Sequence, residues 1–199
     1  RDHRQGCTVR ATTQLAADLQ RPSRVSIFLG GFVRLVGPDL FCGLARLDRG
    51  FLVFGYKSHI SIDRRFGFIR EATVTSASAA DGRQLKHVVS EENTGSEVWA
   101  DSAYRSQSNE KWLAKRMLTS RIHRRKAAGR PMPKATARAN AKKSSVRAAV
   151  EHVFADQKNR FGLFIRTIGL ARAEAKLTLV NLAYNFDRLI FHERRNAMG

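Results

Sequence analysis

From Phe51 onward the hydrophobic period of the chain switches repeatedly between that of a strand and that of a helix, and few architectures accept such a pattern. F-L-V-F-G-Y-K-S-H-I-S-I-D (51–63) alternates as a strand does, Arg64-Arg65 marks a turn, and F-G-F-I-R-E-A-T-V-T (66–75) reads as a second strand, so a hairpin is expected. Ser76 to Ala80 is a loop of small residues. Asp81 caps a short helix through Gln84, Leu85, Val88 and Val89, closed by the acidic stretch Glu91 to Gly95. Ser96 to Ala100 reads as a short buried strand around Val98 and Trp99, and it delivers Asp101 at its C-terminal end, where α/β folds place their sites. Ser106 to Leu118 is expected to be a helix capped by Ser106 or Ser108, with Trp112, Leu113 and Met117 inward, before a short strand around Ser120 to His123. Strand, helix, strand, helix is the order of an α/β fold.

The remainder is organised by charge. Between Lys111 and Arg147 stand thirteen basic residues and no Asp or Glu. Its middle, R-R-K-A-A-G-R-P-M-P-K, carries Gly129, Pro131 and Pro133 and reads as a mobile loop, with Pro133 preceding a long helix that ends near Lys158. After Arg160, the residues Phe161, Phe164 and Ile168 lead into a helix on which Leu179, Leu182, Ala183, Phe186, Leu189 and Ile190 recur at helical spacing, as expected for a lid over the core. Glu193 to Gly199 reads as a polar, frayed end.

Residues 1 to 50 differ in composition from the rest of the chain. They hold eight Arg and no Lys, whereas ten Lys occur from Lys57 onward. Val25 to Phe41 offers one or two short strands around Gly30-Gly31, without clear alternation. The first segment is therefore expected to be poorly defined (1–50) and to precede one domain (51–199), consistent with a 199-residue chain able to bury one core. Because the chain begins with Arg1, a fragment is one expectation; a shifted reading frame or an unrelated junction upstream of residue 50 is another. Cys7 and Cys42 make no metal spacing, which points to a reducing interior.

A formal charge of +19 predicts attraction to polyanions, above all nucleic acid. No segment supplies the ~18 uninterrupted apolar residues of a spanning helix, so a soluble protein is expected. Thirteen cations without one acid also depart from the mixed-sign surface of an ordinary domain, which favours a nucleic-acid contact over a solvated face. Tyr104 and Trp112 are candidate base-stacking aromatics, although Trp112, at helical spacing with Met117, suits a core as well.

The carboxylates with the clearest chemical setting are Asp101 and Glu151. At about 100° per residue, Arg147, Glu151 and Lys158 fall within roughly 40° of one another on one helix face. Val146, Val150, Val153 and Phe154 form the neighbouring apolar stripe, which puts Glu151 at the edge of the buried side, half-desolvated. Two or three carboxylates converging on hard divalent cations are a common way to cut phosphodiesters. The structural alternative is that Asp101 caps its own turn and Glu151 pairs with Arg147 at i,i+4. His123 and His152 stand alone among cations, more naturally structural than ligating.

V-W-A-D-S-A-Y-R-S (98–106) and V-R-A-A-V-E-H-V-F (146–154) resemble the DDE transposases of bacterial insertion sequences, the insertion-sequence-five family being nearest. F-G-Y-K-S-H-I-S-I-D (54–63), S-R-I-H-R-R (120–125), K-N-R-F-G-L-F-I-R-T-I-G-L-A-R-A (158–173) and N-L-A-Y-N-F-D-R-L (181–189) are similar to the same family, so the resemblance covers about residues 51 to 195. It implies a ribonuclease-H-like mixed sheet flanked by helices, incomplete at its N-terminus. It also implies metal-dependent DNA cleavage and strand transfer at element ends with Mg²⁺ or Mn²⁺, terminal inverted repeats and target DNA as partners, homo-oligomers when active, and a bacterial cytoplasm at the nucleoid. By motif, Asp101 and Glu151 are implied as the second and third catalytic, metal-binding carboxylates.

The family motif of Tyr, Arg, Glu and Lys is matched by Arg147, Glu151 and Lys158, with Ser144 at the Tyr position. Arg147 and Lys158 are then implied to grip phosphates, joined as a DNA-binding set by Arg121, Arg124, Arg125, Lys126, Lys142 and Lys143. The first Asp of the family belongs upstream of F-G-Y-K-S-H, where no matching strand is recognisable; Asp39, Asp48 and Asp63 are weak candidates. The expected function is DNA transposition by a chain that is a partial or inactive copy if that Asp is missing. The competing expectation is a non-catalytic basic nucleic-acid-binding protein.

Overall fold

The computed structural model describes residues 27–30, 55–90, 96–165 and 169–198. Cys7, Asp39, Cys42, Asp48, the acidic stretch 91–95 and Ile168 lie outside them. Five strands form one mixed sheet in the order β3-β2-β1-β4-β5, where β1 is Ile27–Gly30, β2 Tyr56–Asp63, β3 Ile69–Ser76, β4 Glu97–Ala100 and β5 Thr119–Ser120. The hairpin expected from the alternation is β2 and β3, antiparallel, with a register shift at Ser61/Ile62. The centre of the sheet is a strand without a clear sequence signature. β1 runs antiparallel to β2 and parallel to β4, which itself runs parallel to β5.

Among the described residues four helices cover the two faces: α1 (Asp81–Val88), α2 (Gln107–Lys115), α3 (Lys134–Asn159) and α4 (Leu170–Met198). Alternation along β4 assigns the layers. Val98 and Ala100 pack with Leu85, Val88, Leu113 and Ile122 under α1 and α2. Trp99 points the other way, against Ile60, Ile62, Val150, Val153 and Tyr184 under α3 and α4. The stripe Val146, Val150, Val153 and Phe154 thus packs as its period required.

Several local expectations are corrected. Asp81 does not cap α1; it is the first helical residue, and its carboxylate takes a 2.9 Å bond from Lys57 Nζ. Ser106 is the cap of α2, accepting from Asn109 N, but the helix ends at Lys115, and Met117 turns outward with φ +56°. Below Arg160 the buried residues are Leu163 and Ile165, and Phe164 is exposed.

The largest correction concerns α4. Its inward face is Ala173, Leu177, Asn181 and Tyr184, while Leu179, Leu182, Phe186 and Ile190 are 45–67% exposed. The helix has apolar residues on opposite faces, so periodicity located the helix and named the wrong face. Polar pairs decide the inner one: Asn185 exchanges two bonds with the Ile69 backbone, and Asn181 Oδ1 accepts from buried Gln157 Nε2 at 2.7 Å. Nor is the end frayed, since α4 runs to Met198.

Candidate functional site

Asp101 leaves the C-terminal end of β4 and caps a short 3₁₀ turn, Ser102–Tyr104, its carboxylate accepting from Ala103 N. Tyr104 anchors that turn below. Its hydroxyl lies 3.0 Å from His59 Nδ1, whose Nε2 lies 3.0 Å from Thr75 Oγ1, and Asn109 Nδ2 ties the Tyr104 and Gly82 carbonyls. Burial lowers the His59 pKa and raises that of the Tyr104 hydroxyl, so both are neutral hydrogen-bonding groups. Tyr104 is accordingly a buried support and not a base-stacking aromatic. Trp112 packs partly buried against the α1/α2 core, with Arg116 5.1 Å from its ring centroid.

Glu151 comes to the same place from α3. Arg147, one turn earlier, is the joint: its Nη1 lies 3.6 Å from Asp101 Oδ2 and its Nη2 3.6 Å from Glu151 Oε1. Because both contacts belong to one planar guanidinium, the two carboxylate oxygens lie within roughly 10 Å of each other. The capping role of Asp101 and the i,i+4 pairing of Glu151 are both present, and they occur together at one point. Glu151 is more solvated than its stripe suggested, with its side chain 62% exposed. Lys158, two turns further on, is exposed and lies about 10 Å along the axis from Glu151.

His123 borders the pair. Its amide donates to Ala100 O at 3.0 Å, extending the β5 ladder so that His123 stands beside Asp101. Burial first, then Arg147 and Lys143, lower its pKa, and its Nε2 is buried without a hydrogen-bond partner, as is Arg147 Nε. His152 is exposed on α3.

The basic run is more ordered than its glycine and prolines suggested. Asn140 on α3 bonds both the amide and the carbonyl of Arg124, and Lys143 Nζ donates to Ile122 O. Arg125 donates to the carbonyls of Ser102 and Ala103, directly beside Asp101. Arg121 is engaged by Glu97 through two bonds. Lys126 and Lys142 are exposed. Of these cations, Arg125 and Lys143 are the ones placed beside the Asp101–Arg147–Glu151 cluster, whereas Arg121 is held at the far end of β4. Asn140 and His59 carry much of this arrangement and left no sequence signal, because an Asn or His becomes structural only through a partner distant in sequence.

Asp63 is not part of the cluster. Its buried carboxylate accepts from Phe66 N at 2.6 Å and Phe68 N at 3.1 Å, closing the β2–β3 turn. It pairs in register with Ile27, at the opposite end of β1 from Gly30, and Gly30 is the residue that continues beside Asp101.

The fold and this cluster define a mixed α/β domain in which carboxylates on a strand end and a helix are joined by one arginine, with further cations beside them. The chain belongs to the transposase DDE domain family, whose model matches residues 48–186. It is also similar to a transposase for insertion sequence element IS1106 from Neisseria meningitidis serogroup B, 28% identical over 112 residues. That match covers 56% of this chain, and the chain spans 38% of the relative's length. Members of the family generally use divalent metal ions.

The donors fit such an ion in part. Mg²⁺ is commonly held by one or two carboxylates, water and substrate phosphates, which Asp101 and Glu151 match. Among the described residues no three His, Cys, Asp or Glu groups converge, so these residues do not complete a two-metal centre. No helix among them is long and apolar enough to cross a membrane.

Proposed function

We propose that this chain works in DNA transposition as the strand-cutting domain of an insertion-sequence transposase, acting on terminal inverted repeats and target DNA in the bacterial cytoplasm, at the nucleoid. The observation that carries this is the single guanidinium of Arg147 touching both Asp101 and Glu151. The sheet order, with β2 antiparallel to a central β1, supports a ribonuclease-H-like reading. In this proposal Asp101 and Glu151 hold Mg²⁺ or Mn²⁺, which when bound would activate the attacking oxygen and stabilise the leaving one. The chain's own residues do the rest. Arg124, Arg125, Lys126, Lys142 and Lys143 neutralise the DNA backbone beside the site, and Arg147 passes from its carboxylates to a phosphate as DNA arrives. Arg121 joins them by releasing Glu97, and Lys158 contacts DNA two turns along α3. The active species is a homo-oligomer.

One observation favours a second reading, a chain that binds DNA without cutting it. The described strand beside Asp101 reads Ile27-Phe28-Leu29-Gly30 and carries no acid where a third carboxylate would complete the site. DNA bearing the element's terminal repeats, incubated with Mg²⁺ or Mn²⁺, separates the two. Cleavage by the parent chain that is lost in Asp101→Ala and Glu151→Ala, with binding retained, supports the cutting domain. Binding that weakens steeply with salt, but no cleavage with either metal, supports the binder and overturns the cutting assignment.

A further inference from the structure

Asp101 has two carboxylate oxygens, and both are engaged. Oδ1 accepts from the amide of Ala103 and closes the turn after β4, while Oδ2 faces Arg147 Nη1 at 3.6 Å. The oxygen left over for an external cation is therefore the one that a guanidinium already faces. Glu151 repeats the arrangement on α3, where Oε1 faces Nη2 of the same Arg147 at 3.6 Å. One side chain thus stands between the two groups that a divalent ion would use, and it is itself a cation. Lys143, the neighbouring ammonium, is spent on the Ile122 carbonyl, so Arg147 is the cation that spans the pair.

The grip is loose. Charge-assisted bonds between a guanidinium and a carboxylate close to about 2.7–2.9 Å, whereas both contacts here stand at 3.6 Å. Arg147 Nε is buried without a hydrogen-bond partner, so the guanidinium serves its carboxylates through the terminal nitrogens. The side chains of Asp101 and Glu151 are 42% and 62% exposed, and ion pairs this solvated hold one another weakly. A cation so placed repels a second cation brought to the same oxygens. It is also held weakly enough to be drawn off by a phosphate, which a guanidinium meets with two parallel bonds.

We propose that Arg147 is an internal counter-cation that occupies the Asp101–Glu151 site and keeps a divalent ion weakly bound until a DNA phosphate draws the guanidinium away. Metal and DNA binding are then linked, each raising the affinity for the other by the same factor. The proposal rests on the reading of Asp101 and Glu151 as metal ligands.

Mn²⁺ titration of the whole chain, with the unbound ion counted by its electron paramagnetic resonance signal, tests this without any cleavage. In the absence of DNA, Arg147→Gln should bind Mn²⁺ about tenfold more tightly than the parent, the scale of removing two solvated ion pairs. Adding Asp101→Asn and Glu151→Gln to that variant should abolish the gain. A short duplex of unrelated sequence should tighten Mn²⁺ binding to the parent, after subtraction of the ion the duplex binds alone, and that tightening should be about tenfold smaller in Arg147→Gln. Arg147→Met, which keeps the apolar stem, takes its place if Arg147→Gln disturbs the far-UV circular dichroism. Equal Mn²⁺ affinity in the parent and the Arg147 variants overturns the lock but not the metal site. A gain that survives removal of both carboxylates puts the ion elsewhere and overturns both, and so does the absence of Mn²⁺ binding in every variant, with or without the duplex.

Discussion

Removing the hydroxyl of Tyr104 tests how Asp101 is held. Tyr104→Phe keeps the ring in the core with Leu85, Val98 and Leu113 but deletes the 3.0 Å contact to His59 Nδ1. His59 is fully buried and its other nitrogen is already committed to Thr75, so Nδ1 is left without a partner or water. A buried polar atom deprived of its partner costs about 1–3 kcal/mol, more than the ~1 kcal/mol of an average hydrogen bond. For a chain of this size that corresponds to a fall of roughly 2–4 °C in Tm per kcal/mol. Urea unfolding followed by tryptophan fluorescence measures it, with an unchanged m-value expected. Tyr184→Phe is the comparison: its hydroxyl bonds the Gly67 carbonyl at 3.2 Å in a less buried setting, so its loss should cost less. A Tyr104→Phe change below about 0.5 kcal/mol, the ordinary scale of an inconsequential substitution, would refute the claim that the buried His59–Tyr104 pair supports the turn.

The same geometry sets other outcomes. Leu177→Ala, in the inner face of α4, should destabilise by about 2–5 kcal/mol, whereas Leu179→Ala should stay within about 0.5 kcal/mol when unfolding is measured at concentrations that keep the chain monomeric. Equal losses would mean that the helix faces are misassigned. Asp63→Ala should destabilise the fold by about 1–3 kcal/mol through the two freed turn amides, seen as a lower urea midpoint, without altering DNA affinity. A loss of DNA binding with stability intact would return Asp63 to the site. His59 and His123 have folded pKa values below their ordinary 6.5, so the unfolded chain takes up more protons as the pH drops. Their contribution to stability is present above pH 6.5 and is lost as pH falls below it. Urea midpoints should therefore be lower at pH 5.5 than at pH 7.5, and a rise would contradict the assignment of both as neutral imidazoles in the fold.

The chain's own pattern determined much of this protein. Alternation fixed β2 and β3, the period of α3 fixed its buried stripe, and the spacing of Arg147 and Glu151 guaranteed their contact, because i,i+4 neighbours on a helix meet whatever surrounds them. The motifs around Asp101 and Glu151 pointed to the transposase DDE domain family, to which the chain belongs.

What only the tertiary structure decided required partners distant in sequence. Asp101 meets Arg147 across forty-six residues, Asn140 pins Arg124, and β1 becomes the central strand though its four residues carry no periodic signal. The face α4 turns inward was decidable only in three dimensions as well. A helix apolar on both sides satisfies the helical period either way, and the choice falls to the asparagines that find their polar partners on one side only.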